Sequence, residues 1–447
     1  MKAEQQYIDL FTRYESLIRK RSSEVLNKYR TGALADFERF GFPSATCEDY
    51  KHTDVAQAFI PDYGINLNRI DVPVNPYDVF RCDVPNLSTA LYFMVNDSFY
   101  DKVKPEVKWP EGVYVGGLKA FSEQYPDIAG RYYAKAAAGR DGIIALNTML
   151  AQDGFVVYVP EGVTVEKPIQ AVNIFRSDVN VMANRRILAI LEPRSQAKLL
   201  VCDHSIDDVK FLATEVVEIF AGEEACFDFY DLEESSRSTT RFASFHVKQE
   251  ASSNVLLNGI TLTNGLTRNN YYIELNGEYA EATLCGMSIL DKEQQVDMYS
   301  HITHAVPNCT SAELVKNVLN DHSAGAFSGR ILVKEGAQKT AAYQTNRNLL
   351  VTREARMYSK PQLEIYADDV KCSHGMTTGQ MDESALFYLQ SRGIPKDEAR
   401  MMLSVAFTAD VVDHVRLDGL KERLHHLVEK RFRGELAPCV GCRGRRP

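Results

Sequence analysis

Between about Gly142 and Tyr366, short turn-then-strand units recur at nearly constant spacing, and this restricts the fold more than any other feature of the chain. The units lie near Ala197, Ala225, Ser253, Ala282, Ser311 and Gln338, a recurrence of about 28 residues. A period of that size marks repeat architectures in which each unit buries its apolar side against the next. Phe155, Val157, Val159, Val163 and Val165 alternate with other residues, the period-two pattern of strands, with turn signals at Pro160, Gly162 and Pro168. No helical spacing interrupts the run, so a parallel β-solenoid is the expectation. A β-sandwich of hairpins is the alternative. It would use Asn-Gly turns, which occur at Asn258-Gly259 and Asn264-Gly265, with Asn276-Gly277 a third candidate.

Both flanks change texture. Tyr7, Leu10, Phe11, Tyr14, Leu17 and Ile18 recur at helical spacing, and the pattern resumes through Val25, Leu26 and Tyr29 before Gly41 and Pro43 end it. From Cys47 to Ala138 the chain is rich in Pro, Asp and Asn and reads as loops. After Gly379, Asp382 is placed to cap a helix carrying Ala385, Leu386 and Leu389, closed by Gly393 with Pro395 beyond. Two further apolar stripes follow, Ala399 to Phe407 and Leu420 to Val428. The division expected is a helical and loop-rich region at 1–140, a solenoid core at 141–378, a helical region at 379–434 and a Cys/Arg-containing tail at 435–447.

A chain of 447 residues can bury a sizeable core. With 51 basic against 60 acidic residues and a net charge of -9, an extended nucleic-acid surface is not expected. The first twenty residues carry frequent charges and no apolar stretch, and no later run is long and apolar enough for a bilayer. The expectation is therefore a cytoplasmic protein with no membrane partner, its nine cysteines reduced rather than paired.

Neither GxxxxGK[ST], a strand-linked GxGxxG, HExxH nor GxSxG occurs, so the common nucleotide, zinc-protease and hydrolase chemistries have no support. Cys372 and His374 are the pair that stands out. A thiolate and an imidazole are ligands for iron, zinc or copper(I), and residues i and i+2 of a strand face one side. A buried thiol beside a hydrogen-bonded histidine is the plainer reading of the same pair. Cys439 and Cys442 form a CxxC among arginines, which would favour thiolate, but without a second ligand pair. His301 and His304 fall on opposite faces of a strand, and His425-His426 on a helix, all read as structural or surface histidines. Asp368-Asp369 reads as a turn or strand edge.

Three longer segments carry a resemblance. LNTMLAQDGFVVYVPEGVTVEKPIQ from Leu146, GAQKTAAYQTNRNLLVTREARMYSKPQLEIYADDVKCSHGMTTGQ from Gly336 and EDYKHTDV from Glu48 resemble the SufB and SufD family, and within it KCSHG and Leu389 are similar to the SufD branch rather than the SufB branch. The resemblance implies a right-handed parallel β-helix between helical regions, and a non-catalytic scaffold for iron-sulfur cluster assembly. It implies pairing with a SufB-like paralogue through the β-helices, a SufC-like ATPase held by the C-terminal helices, and a reduced flavin in the assembled complex; separately, a solenoid's exposed edge strands make homodimerisation of the isolated chain through sheet edges one way to protect them. His374 is then an interface ligand of a transient cluster, with Cys372 in support. A SufB paralogue, a metal-free interaction scaffold and an exported polysaccharide-active β-helix enzyme are the alternatives.

Overall fold

A computed structural model describes residues 3–44, 46–80, 89–103, 105–207 and 209–435. Two long helices come first, α1 (Ala3–Lys20) and α2 (Glu24–Phe40), the second started by Ser23, whose side chain accepts from the Leu26 amide. After the short turns α3 (Val55–Ala58) and α4 (Pro76–Val79) come β1 (Ala90–Val95), β2 (Ser98–Phe99) and β3 (Tyr114–Gly117), then α5 (Leu118–Gln124), α6 (Pro126–Tyr132) and α7 (Gly142–Leu150). Every residue of α7 is buried. A helix apolar all round carries no one-sided periodicity, which is why the sequence gives no helical pattern there.

Eight coils of two strands each follow, forming the parallel β-solenoid. In order they are β4 (Phe155–Val159) and β5 (Ile169–Phe175), β6 (Val181–Leu191) and β7 (Gln196–Ser205), β8 (Phe211–Ala221) and β9 (Cys226–Glu234), β10 (Thr239–Gln249) and β11 (Asn254–Thr263), β12 (Leu266–Leu275) and β13 (Glu281–Leu290), β14 (Gln295–His304) and β15 (Thr310–Leu319), β16 (Ala324–Val333) and β17 (Ala341–Leu350), β18 (Arg356–Ile365) and β19 (Lys371–Gln380). Even-numbered strands from β4 make one parallel sheet and odd-numbered strands from β5 the other, which β1 joins beside β5. The helices α8 (Glu383–Ser391), α9 (Lys396–Asp413) and α10 (Asp418–Phe432) close the described chain.

The repeat has a local cause at one corner of each coil. Arg194, Glu224, Ser252, Tyr279, Asn308 and Lys339 adopt left-handed backbone with φ of 56–63°, and each is followed by a small buried residue: Ser195, Ala225, Ser253, Ala280, Cys309 and Thr340. Corner amides bond to the next coil, as Glu224 N donates to Ala251 O at 2.8 Å. The stacking leaves little room, since a Cβ on Gly277 would lie 2.0 Å from Ala251 N. Of the hairpin candidates, Asn258-Gly259 lies inside β11 instead of at a turn.

Inward-facing Val, Ile, Leu and Phe of both sheets fill the lumen. One end of it is plugged by Val107, Trp109 and Val113, with Trp109 Nε1 donating to Tyr92 Oη at 3.0 Å, and antiparallel pairing of β2 to β1 and β3 to β4 finishes both sheets there. The outer face of the even-numbered sheet is covered through Met182, Leu212 and Phe242 by the N-terminal helices. Cys202, Leu256, Ile260, Cys285 and Met287 of the other sheet pack against Val411, Val412, Leu420, Leu424 and Leu427 of α9 and α10. Arg431 is buried and fastens α10 by donating to Leu262 O at 2.6 Å and Ile289 O at 3.1 Å while pairing with Asp291 at 2.8 Å.

Candidate functional site

The far end of the solenoid has no such closure. β18 and β19 are the last strands of their sheets, each hydrogen-bonded to a neighbour on one side only. Nine of the ten β19 residues are exposed and Cys372 is half-buried. Lys371 N donates to Thr340 O at 2.8 Å, so odd-numbered residues turn their amides toward β17 and even-numbered ones toward the free edge.

Cys372 and His374 lie in this strand, opposite Ala342 and Gln344 of β17. Ala342 and Gln344 are buried in the lumen face, and Cys372 packs with Ala342, Ile331, Val333 and Ala337. Strand alternation puts His374 on that same inward face, exposed because no further coil covers it. The structure thus brings the pair together at the open mouth of the solenoid. Burial pushes the Cys372 thiol up from its ordinary value, which favours the protonated form. Among the described residues no cluster of three or more His, Cys, Asp or Glu side chains is arranged to hold a metal ion.

Near this mouth the lumen becomes polar. Asn346 and Asn348 are buried and bond to each other, with Asn348 Nδ2 donating to Asn346 Oδ1 at 2.7 Å; Ser359 Oγ donates to the same oxygen at 2.7 Å and Asn317 Nδ2 to Asn348 Oδ1 at 2.8 Å. A groove of about 730 Å³ opens beside it, lined by His52, Phe327, Met357, Tyr358 and Met376.

His52 brings the Glu48 to Val55 segment to the terminal coil. Its ring stacks on Tyr358 of β18 at 4.1 Å, and Glu48 pairs with Lys360. Tyr50 is buried, donating to Asp141 at 2.9 Å beneath the Arg268 guanidinium, while Thr53 Oγ1 donates at 2.6 Å to Asp297, the partner of Arg268. Sequence spacing alone gives no hint that this strap and β18 meet. The helices after β19 leave Phe387 73% exposed, Tyr388 57% and Met402, of the expected α9 stripe, 42%.

The other candidates lie elsewhere. His304 faces the lumen with its Nε2 2.8 Å from Ser311 Oγ, His301 faces outward near Tyr272, and burial brings each down to about 4, so both are neutral. His425 sits 3.5 Å from Asp413 and His426 is exposed. Asp368 and Asp369 are in the exposed turn before β19. Cys439 and Cys442 lie outside the described residues. Cys47, Cys226, Cys285, Cys309 and Cys372 are free thiols.

Residues 174–407 match the family model described as SUF system FeS cluster assembly, SufBD core domain. The chain belongs to the SufBD family. Residues 1–171 match the SufBD protein N-terminal region, so the family covers both the strap and the solenoid. A SufBD family iron-sulfur cluster assembly protein of Synechocystis is 25% identical over 438 residues, 96% of this chain and 93% of the relative. The SufD of Escherichia coli is 30% identical over 295 residues, 65% and 69% of the two chains, and that of Bacillus subtilis 26% over 362 residues, 78% and 81%. No helix among the described residues of this SufBD protein is long and apolar enough to cross a membrane.

Proposed function

We propose that this chain is a SufD-type, non-catalytic scaffold acting in the cytoplasm, which presents His374, supported by Cys372, to an iron-sulfur cluster being built at its junction with a SufB-type paralogue. The observation that carries the reading is the free, exposed edge of β19 with both donors on its lumen side. An unpaired strand edge is a template for pairing with another chain, and two donors form an incomplete ligand set that a partner completes. Such a site holds iron and sulfide loosely enough to pass the cluster on as cargo. The isolated chain would satisfy the same edge by pairing with a second copy.

The apolar patch on α8 and α9 supports docking of a SufC-type ATPase there, beside the strand whose pairing it would act on. The reduced flavin expected of the assembled complex has no residue of this chain assigned to it.

The test is anaerobic assembly of the complex from this chain, a SufB-type protein and a SufC-type ATPase, fed with iron and sulfide. His374→Ala is expected to form the complex and lose most of the cluster absorbance, with Cys372→Ser giving a smaller loss because its thiol is partly committed to the core. Unchanged cluster formation in His374→Ala would reject the ligand role.

A further inference from the structure

Beneath His374 the ladder of inward side chains is polar. Glu313 of β15, Gln344 of β17 and His374 of β19 occupy one register position in three successive coils. Neighbours in such a ladder stand about 4.8 Å apart, so a side-chain amide reaches the ring above it. Glu313 is 3% exposed and Gln344 1%. Gln344 Nε2 donates to Glu313 Oε2 at 2.7 Å, which anchors one end of the amide. The other end, Gln344 Oε1, is buried with no hydrogen-bond partner in the protein. A buried acceptor left without a donor is unfavourable, and His374 is the next side chain along the ladder by register.

Across the lumen the space for the amide is kept open. Gly329 of β16 stands there, and a Cβ on it would lie 2.3 Å from Gln344 Nε2 and 2.5 Å from Phe327 Cζ. The amide is thus confined between Glu313 and the empty side of Gly329, which leaves its carbonyl oxygen as the end without a partner. A metal-binding imidazole is commonly oriented by donating its second ring N–H to an acceptor of this kind.

We propose that Gln344 is a positioning residue for His374: its Oε1 accepts the lumen-facing N–H of the imidazole, with Glu313 anchoring the amide, so that the opposite ring nitrogen is presented as the free donor at the mouth. This rests on the ligand role assigned to His374 above, and adds two buried residues that act through it.

The experiment is nitrogen-15 NMR of histidine-labelled full-length chain, with the His374 signal assigned by its loss in His374→Ala. The wild type is expected to show one neutral tautomer. Gln344→Met, close in volume, should give the averaged mixture of a solvent-exposed ring, while Glu313→Gln, which retains an acceptor oxygen, should keep the single tautomer. Circular dichroism establishes that each variant is folded. A ring signal unchanged in folded Gln344→Met overturns the proposal. Titration of Co2+ into the SufB-paired chain separates this from the ligand reading. A loss of affinity of about tenfold or more in Gln344→Met is expected, whereas absence of Co2+ binding in the wild type, with the ring still locked, rejects the ligand role and leaves the positioning contact standing.

Discussion

At the scale of single residues, the solenoid tolerates charge inside it only by pairing or protonating it. Arg241 lies in the lumen with Asp203, Glu215 and Asp231 around it at 2.9–3.2 Å. Glu233 is buried nearby, bonded by Thr267 and Ser235, and burial pushes it up to about 7. A carboxyl raised in this way binds a proton in the folded chain that the unfolded chain has already lost. Its cost is absent below about pH 4.5, grows as pH rises, and is complete above pH 7. Glu233→Gln should therefore match the wild type in stability near pH 4 and exceed it by about 1–3 kcal/mol at pH 8, measured by urea denaturation at both values. Cys372 and His374 were legible as a pair from their spacing. Their inward direction was not, because it depends on which face of β19 continues the lumen.

At the scale of elements, what the sequence displays most clearly is the corner, and the strands follow from it. The small residues after each left-handed position, from Ser195 to Thr340, recur because the stacked corners leave no room for a larger side chain. These six sit before odd-numbered strands, while left-handed Lys292 and Asp321 stand at the other corner ahead of β14 and β16. β1 was hidden in the loop-rich stretch, since a single strand pairing with β5, 79 residues on by register, leaves no local periodicity. The first C-terminal helix was readable in full: Asp382 accepts from the Ser384 and Ala385 amides, and Gly393 with φ of 84° lies just past the end. How α10 is held was not readable, because Arg431 reports nothing of its carbonyl partners in sequence. Arg431→Ala leaves two buried carbonyls and Asp291 without their donor, and thermal unfolding should show about 2–4 kcal/mol of lost stability. Arg431→Lys should recover only part of it, since one ammonium cannot reach every partner of the guanidinium fork.

At the scale of the whole molecule, the uncovered end of the solenoid among the described residues is where the proposed association would take place. Both outer sheet faces lie under helices, and the opposite end is closed by Trp109 and the antiparallel strands β2 and β3. Met376 turns its amide to the free edge of β19, so Met376→Pro removes an outward donor without touching the bonds to β17. Light scattering is expected to show the variant as a monomer with the wild-type melting temperature to within a few degrees, and to show loss of pairing with the SufB-type partner. In the language of polymer chemistry, a rod closed at one end and open at the other is a monofunctional monomer: it terminates chains and never extends them. A stack of identical coils has no intrinsic length limit, and a rod with two open ends would grow into fibres. Trp109 and its flanking strands close one end against such growth, so the pairing proposed for the β19 edge would stop at two.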